Sequence, residues 1–349
     1  MSTRVATFNC ENLFSRSKVL NLSDTPQQVA KAQAALAAFN KLKGLMAQSS
    51  YTAADKAEMV ALVAEGKGFF TIEVDRGKFM SGNKVVAKGV DDFYAHVRFV
   101  TKEVSEAATE NTGKVIKALN ADVLCTIEVE SREMLGDFNS QILKTKKFAH
   151  HMVVDGNDPR GIDVGIMSKL PLSSMRSHVD DKDGNSKTFS RDCIEHEVIL
   201  ASGKSLWVIC NHFKSKLGPP ASSDARRKKQ AERVAAILGE RFDLTRDLVV
   251  VAGDLNDTPA SAPLSPLLTL PNLHNLVATL PAADQYTHVF RGDKSQIDYL
   301  LVSMPLLNAL EEIKIERRGM EKVPGHFPSV TGPADAASDH AGVVAQFSV

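Results

Sequence analysis

The chain has no excess of charge of either sign: Lys plus Arg and Asp plus Glu number 42 each in 349 residues. A neutral surface is no bulk electrostatic trap for nucleic acid or membrane, so any polyanion site has to be local. Cysteine is scarce. Cys10, Cys125, Cys193 and Cys210 lie far apart inside apolar runs, and there is no Cys-x-x-Cys pair. That argues against a zinc knuckle or a disulfide framework and for buried thiols in a reducing compartment. No apolar run approaches the roughly 20 residues of a membrane span. The opening Met-Ser-Thr-Arg-Val-Ala-Thr-Phe-Asn has no apolar signal core, so a cytoplasmic protein is expected. A phosphate-cradling glycine loop followed by Lys-Ser/Thr, a dinucleotide fingerprint and a Gly-x-Ser-x-Gly elbow are also missing.

What is present is apolar content of 43%, enough for a large core, with no Pro/Gly linker to divide the chain. Strands are expected at 4–10 and near 122–128, 163–168, 191–200, 205–212, 247–254, 297–303 and 342–348. Helices are few: one at about 103–119, and one at about 223–242 with the stripe Ala231, Val234, Ala235, Leu238 and Phe242. Several strands follow one another without a helix, which points to mixed sheets packed face to face with helices outside. The segment 219–224 reads as a loop, and the run Arg226-Arg227-Lys228-Lys229 as a solvated helix face. Segment 15–100 carries its own periodicity. Thr25-Pro26 opens one helix, Thr52 with Asp55 caps a second, and 69–90 reads as short strands around Ser81-Gly82-Asn83.

The chemistry sits at strand ends. The run Val249-Val250-Val251-Ala252-Gly253 delivers Asp254 and then Asn256, two positions apart and so on one side of a strand. Asn9 and Glu11 close the first strand. Glu128 closes Val123-Leu124-Cys125-Thr126-Ile127, and Glu130 lies beyond it. A carboxylate ending an apolar strand is costly to bury unless it is paired or holds a cation, and oxygen donors of this kind suit Mg²⁺. Taken alone, Glu128 reads equally well as a capping acid. Asn211-His212 ends another apolar run, with Lys214 and Lys216 directly after. The imidazole and the lysines there suit phosphate oxygens. Gln296-Ile297-Asp298-Tyr299 opens a strand and Ser338-Asp339-His340 precedes the last one, an arrangement in which an acid charges or orients an imidazole. Arg160-Gly161-Ile162-Asp163 and Ser190-Arg191-Asp192 are weaker and read as readily as surface ion pairs.

Thr7-Phe8-Asn9, Asp122 to Glu128, Asn211-His212, Gly253-Asp254-Leu255-Asn256, Gln296-Ile297-Asp298-Tyr299 and Ser338-Asp339-His340 follow the order of the endonuclease/exonuclease/phosphatase superfamily, which is deoxyribonuclease I-like. The chain resembles that family over about 1–14 and 100–349. The string Asn211-His212-Phe213-Lys214-Ser215-Lys216 further resembles a bacterial extracellular-nuclease or phosphodiesterase-like branch. The resemblance implies an α/β fold, a four-layer α/β/β/α sandwich of two mixed sheets, forming a single domain 1–349. It implies Mg²⁺ or Mn²⁺ on Glu128, with Asn9, Asp339 and Glu11 completing or supporting the shell. By the same resemblance Asp254 handles the attacking water, Asn256 and His212 bind the phosphate, and His340 paired with Asp298 stabilises its charge. Asp163 is the expected partner of His212, and Arg191, Lys214 and Lys216 the expected basic residues.

Asn9 and Glu128 stand 119 positions apart, so 15–100 is expected to be a helical and hairpin insertion after the first strand, cap-like, with no identified partner. The leading expectation is a metal-dependent phosphodiesterase or nuclease, monomeric, acting on a phosphodiester with nucleic acid among the candidates. A phosphomonoesterase or a sphingomyelinase-like phospholipid phosphodiesterase is the alternative, and a non-catalytic binding module is the third.

Overall fold

The computed structural model describes residues 2–19, 25–158, 160–216 and 219–349. Among these the chain divides into two compact units, 1–14 with 104–349 and 15–103.

The larger unit is built on two six-stranded mixed sheets. The first runs, edge to edge, Leu310–Glu316, Gly342–Ser348, Ser2–Asn9, Val123–Val129, Asp163–Ser168 and His150–Val154. The second runs Leu172–Ser177, Cys193–Ile199, Ser205–His212, Leu248–Asp254, Asp298–Ser303 and Leu273–Asn275. Each sheet has one parallel pair at its centre: Ser2–Asn9 with Val123–Val129, and Ser205–His212 with Leu248–Asp254. A parallel pair needs a crossover connection, and in the second sheet the helix Pro220–Arg241 supplies it.

These central strands are continuous runs of Val, Ile, Leu and Cys because both their faces are buried. One face of each sheet meets the other sheet in a shared core that includes Val5, Cys125, Ile127 and Ile166 from the first and Ile194, Val208, Cys210, Val250 and Leu300 from the second. The outer face of the first sheet is covered by the helix Glu106–Leu119 through Val115, Ile116 and Leu119, and by Leu135 and Phe138. The outer face of the second takes Ala231, Val234, Ile237 and Leu238 of Pro220–Arg241. The result is the α/β/β/α sandwich. No described helix is long and apolar enough to cross a membrane.

Three local expectations are corrected. The segment 219–224 is not all loop: the helix starts at Pro220, whose missing N–H costs nothing in a first turn, and the hydroxyls of Ser222 and Ser223 bond back to the Pro219 carbonyl. Arg227 is not solvated but buried, where its guanidinium pairs with Asp257 at 3.0 Å and with Asp224. The strands His150–Val154, Leu172–Ser177, Leu273–Asn275 and Leu310–Glu316 escaped the apolar pattern. All four are sheet edges, and several of their residues face solvent, so they carry no continuous apolar run.

The unit Ser15–Glu103 holds the helices Pro26–Met46 and Ala53–Glu65 and the hairpin Phe70–Gly77 with Phe93–Phe99. Thr25 caps the first helix with Pro26 at its first position, and Thr52 and Asp55 exchange bonds in a capping box. Its own core centres on Phe39, stacked on Phe99 at 4.0 Å between ring centroids and edge-on to Phe70 at 5.7 Å.

Candidate active site

Strand register sets the site. In the second sheet His212 lies opposite Asp254, and Asp254 opposite Asp298, so three side chains stand in a row where the central strands end. Gly253 allows this. Its φ is 137°, and a Cβ there would sit 1.9 Å from the Asn211 carbonyl oxygen, so only glycine permits the approach that brings Asp254 beside His212.

In the first sheet Asp163 pairs with Val129 and Val164 with Ile127, which leaves Glu128 as the extra residue of a bulge, with φ of 58°. A bulge turns a side chain out of the ladder. Glu11 and Asn256 also have positive φ, 48° and 55°. Non-glycine residues in that region cost energy and gather where a site constrains the backbone.

One carboxylate oxygen collects most of the contacts. Asp254 Oδ2 accepts from Asn9 Nδ2 at 3.2 Å and from Asn256 Nδ2 at 3.1 Å, and lies 3.6 Å from His212 Nε2 and 3.8 Å from His340 Nε2. Its Oδ1 accepts the Asn256 N–H at 2.8 Å. Glu128 Oε1 stands 3.6 Å from His212 Nε2 and 3.4 Å from Asn9 Nδ2. His340 Nδ1 meets both oxygens of Asp298, at 2.9 and 3.1 Å.

Burial drives Asp254 up to about 7; His340 opposes the shift, and the neighbouring Asp298 and Glu128 charges reinforce it. The two histidines are driven apart. Burial, then Arg191 and Arg160, hold His212 well below the ordinary imidazole range. Burial also disfavours charge on His340, but Asp298, Asp339 and Asp254 override it and hold His340 well above that range. At neutral pH the row therefore presents a neutral imidazole on one side of Asp254 and an imidazolium on the other.

Beside His212 lies a cationic group. Arg160 grips Asp158 through Nε at 2.8 Å and Nη2 at 2.6 Å. Arg191, fully buried, meets the same carboxylate at 3.0 Å and donates to the Phe213 carbonyl at 3.0 Å. Burial pushes the Asp158 carboxyl up, but the two guanidiniums outweigh it and leave it well below the usual carboxylate range. Burial, with Arg191 and Arg160 nearby, lowers Lys214 to about 8. From the sequence alone, 160–163 reads as readily as a surface ion pair. Its only local signal was the Asp158-x-Arg160 spacing, and the partnership with Arg191 across 31 positions appears only in the fold.

Other expected residues sit differently. Asp163 does not serve His212: its Oδ1 accepts the Gly156 N–H at 2.8 Å, and His212 Nδ1 has no hydrogen-bond partner among the described residues. Burial raises Asp163 to about 7. Asn9 turns its nitrogen to the carboxylates, while its Oδ1 accepts the Glu11 N–H at 3.0 Å. Asp339 lies against His288 at 3.4 Å and His340 at 3.7 Å, on the imidazolium side of the row. Lys216 reaches Asp257 at 2.9 Å, the acid that also holds Arg227. Glu130 accepts the N–H groups of Leu13 and Phe14 at 3.0 and 2.7 Å, a backbone anchor.

The family model described as "Endonuclease/Exonuclease/phosphatase family" matches residues 105–340. This chain belongs to that family. The match runs from the helix Glu106–Leu119 to His340 and takes in Glu128, His212, Asp254, Asn256 and Asp298. The chain is similar to solved structures. One is a humanized TDP2 from D. rerio, 16% identical, covering 70% of this chain and 94% of its own, with a TM-score of 0.50. Others are an endonuclease/exonuclease/phosphatase from Beutenbergia cavernae (17% identical, 68% and 65% covered, TM-score 0.49) and an AP endonuclease from Archaeoglobus fulgidus (15%, 70% and 96%, TM-score 0.49). No curated protein matches the sequence significantly.

Proposed function

We propose that the chain hydrolyses phosphodiesters, as a nuclease or phosphodiesterase dependent on a hard divalent cation. The observation that carries this reading is the convergence of Asn9, Asn256, His212 and His340 on Asp254 Oδ2, all within 3.8 Å, with Glu128 beside them. Family membership supports it.

Each group has a task suited to its surroundings. Asp254, whose affinity for a proton is raised by burial, orients and deprotonates the attacking water. His340, kept cationic by Asp298, donates to a phosphate oxygen as charge builds on it. His212, kept neutral, donates to a second oxygen through Nε2. Asn256 Nδ2 donates to the Phe213 carbonyl and to Asp254 Oδ2, both at 3.1 Å, and binds phosphate by releasing one of these bonds. Arg160, Arg191 and Lys214 give the neutral chain its local positive field.

Glu128, braced by Asn9, offers the oxygen donor that Mg²⁺ or Mn²⁺ prefers, and the pressure on Asp254 from neighbouring negative charge is what a cation there would relieve. When bound, such an ion supplies Lewis acidity at a phosphate oxygen.

The test is turnover of bis(4-nitrophenyl) phosphate and of a single-stranded oligonucleotide by the full chain, with Mg²⁺ or Mn²⁺ and with excess chelator. Turnover should vanish in chelator and fall on the order of 10²-fold or more in Asp254→Asn and His212→Ala. Chelator-resistant turnover, or wild-type rates in both variants, overturns the reading.

A further inference from the structure

His288 lies outside every motif of the family resemblance, yet the fold places it directly against His340. The short strand His288–Phe290 forms a bridge in which His288 faces His340 across antiparallel backbone, and the Ala341 N–H bonds the Thr287 carbonyl at 2.7 Å. The two imidazoles stand 4.8 Å apart between centroids. Asp339 lies between them: its Oδ2 is 3.4 Å from His288 Nε2 and its Oδ1 is 3.7 Å from His340 Nε2.

Those separations are long for hydrogen bonds, which cluster at about 2.7–3.2 Å for N–H to oxygen. Zinc bonds of about 2.0–2.2 Å to nitrogen and oxygen imply tetrahedral ligand-to-ligand edges of about 3.3–3.6 Å. The His288 separation falls in that range, and the His340 separation, to the other Asp339 oxygen, lies just above it. One donor atom from each of His288, Asp339 and His340 lies within 4.8 Å of the others. The imidazole of His340 is also held as zinc ligands are, its Nδ1 against Asp298 and its Nε2 within 3.8 Å of both Asp339 and Asp254. The Asp339 side chain is 55% exposed, so the cluster opens to solvent.

We propose that His288, Asp339 and His340 form a binding site for a borderline transition-metal ion of the Zn²⁺ type, separate from the oxygen donors at Glu128. Two imidazoles and one carboxylate select such an ion over Mg²⁺, which prefers an all-oxygen shell. Three protein ligands leave a fourth position to solvent. Zn²⁺ binds His340 Nε2 by displacing its proton to solvent, and so takes from the phosphate the N–H donor that hydrolysis needs. Zn²⁺ is then an inhibitor competing for one side chain, a consequence that rests on the proposed hydrolase reading.

Binding is tested without substrate. Metal-free full-length protein is titrated with Zn²⁺ by calorimetry and with Co²⁺ by visible absorption. Wild type should show a site with tetrahedral Co²⁺ bands, and His288→Ala and His288→Gln should each weaken it at least tenfold. His288 is partly exposed and outside the hydrolytic row, so both variants should retain the wild-type circular dichroism and Mg²⁺-supported turnover. Inhibition of that turnover should need at least tenfold more Zn²⁺ in either variant. Equal Zn²⁺ affinity in wild type and both variants overturns the site. Zn²⁺ binding that depends on His288 in a protein with no Mg²⁺-supported turnover upholds the site and overturns the hydrolase reading alone.

Discussion

His196 offers a quantitative check on the inter-sheet core. It sits on Cys193–Ile199 between Glu195 and Glu197, two positions from Ile194 and from Val198, both members of the core between the sheets. It is 2% exposed, and its Nε2 has no hydrogen-bond partner among the described residues. Burial alone lowers its pKa from 6.5 to about 4. The unfolded chain therefore binds a proton at His196 that the folded chain refuses between those two values. This contribution to stability is complete above about pH 6.5 and is lost as the pH falls through about 4. At 1.36 kcal/mol per unit, lowering the pH from 7.5 to 5 costs about 2 kcal/mol through this residue.

Replacing His196 with Leu removes the titration and keeps an apolar volume. Urea unfolding should be followed through the fluorescence of Trp207, the single tryptophan, which lies on the neighbouring strand and so reports on the larger unit. Other acids titrate in both proteins, so the informative quantity is the difference. From pH 7.5 to 5 the wild type should lose about 2 kcal/mol more than His196→Leu. Parallel pH dependences in the two proteins would show that His196 is not buried uncharged.

Two further outcomes test the site's construction. Gly253→Ala should destabilise the larger unit by about 2–6 kcal/mol, from backbone strain at φ 137° plus overlap with the Asn211 carbonyl; a loss below about 1 kcal/mol in the same urea assay would refute the close-approach argument. Asp298→Asn keeps the shape of the His340 contact but removes its charge, so kcat should fall about 10²–10⁴-fold with little change in KM. The same variant should move the alkaline limb of the pH profile to lower pH, because His340 loses the carboxylate that raises it; an unmoved limb with a wild-type kcat would remove Asp298 from its positioning role.

Much of the frame was legible because burial writes itself into local sequence. Val123–Val129, Ser205–His212 and Leu248–Asp254 are buried on both faces, so they read as apolar runs with sharp polar ends. The edge strands Leu172–Ser177 and Leu310–Glu316 turn a face to water, and their Ser, Arg, Glu and Lys residues hide the strand. Helix caps at Thr25 and Thr52 were readable because a cap satisfies groups within three residues of itself. The inward turn of Arg227 was not, because its partner Asp257 is 30 residues away and no local rule distinguishes it from Lys228.

The sequence by itself determined which strands end in polar residues: Asn9, Glu128, His212, Asp254 and Asp298 all stand where apolar β-formers stop or begin. Only the tertiary structure decided which of them meet. The register of His212, Asp254 and Asp298, the bulge that turns out Glu128, the Arg160–Asp158–Arg191 cluster and the approach of His288 to His340 all depend on hydrogen bonds between segments far apart in the chain. Local propensity fixes what each strand carries. Pairing across the sheets fixes where it is delivered, and that pairing is set by the packing of the whole core.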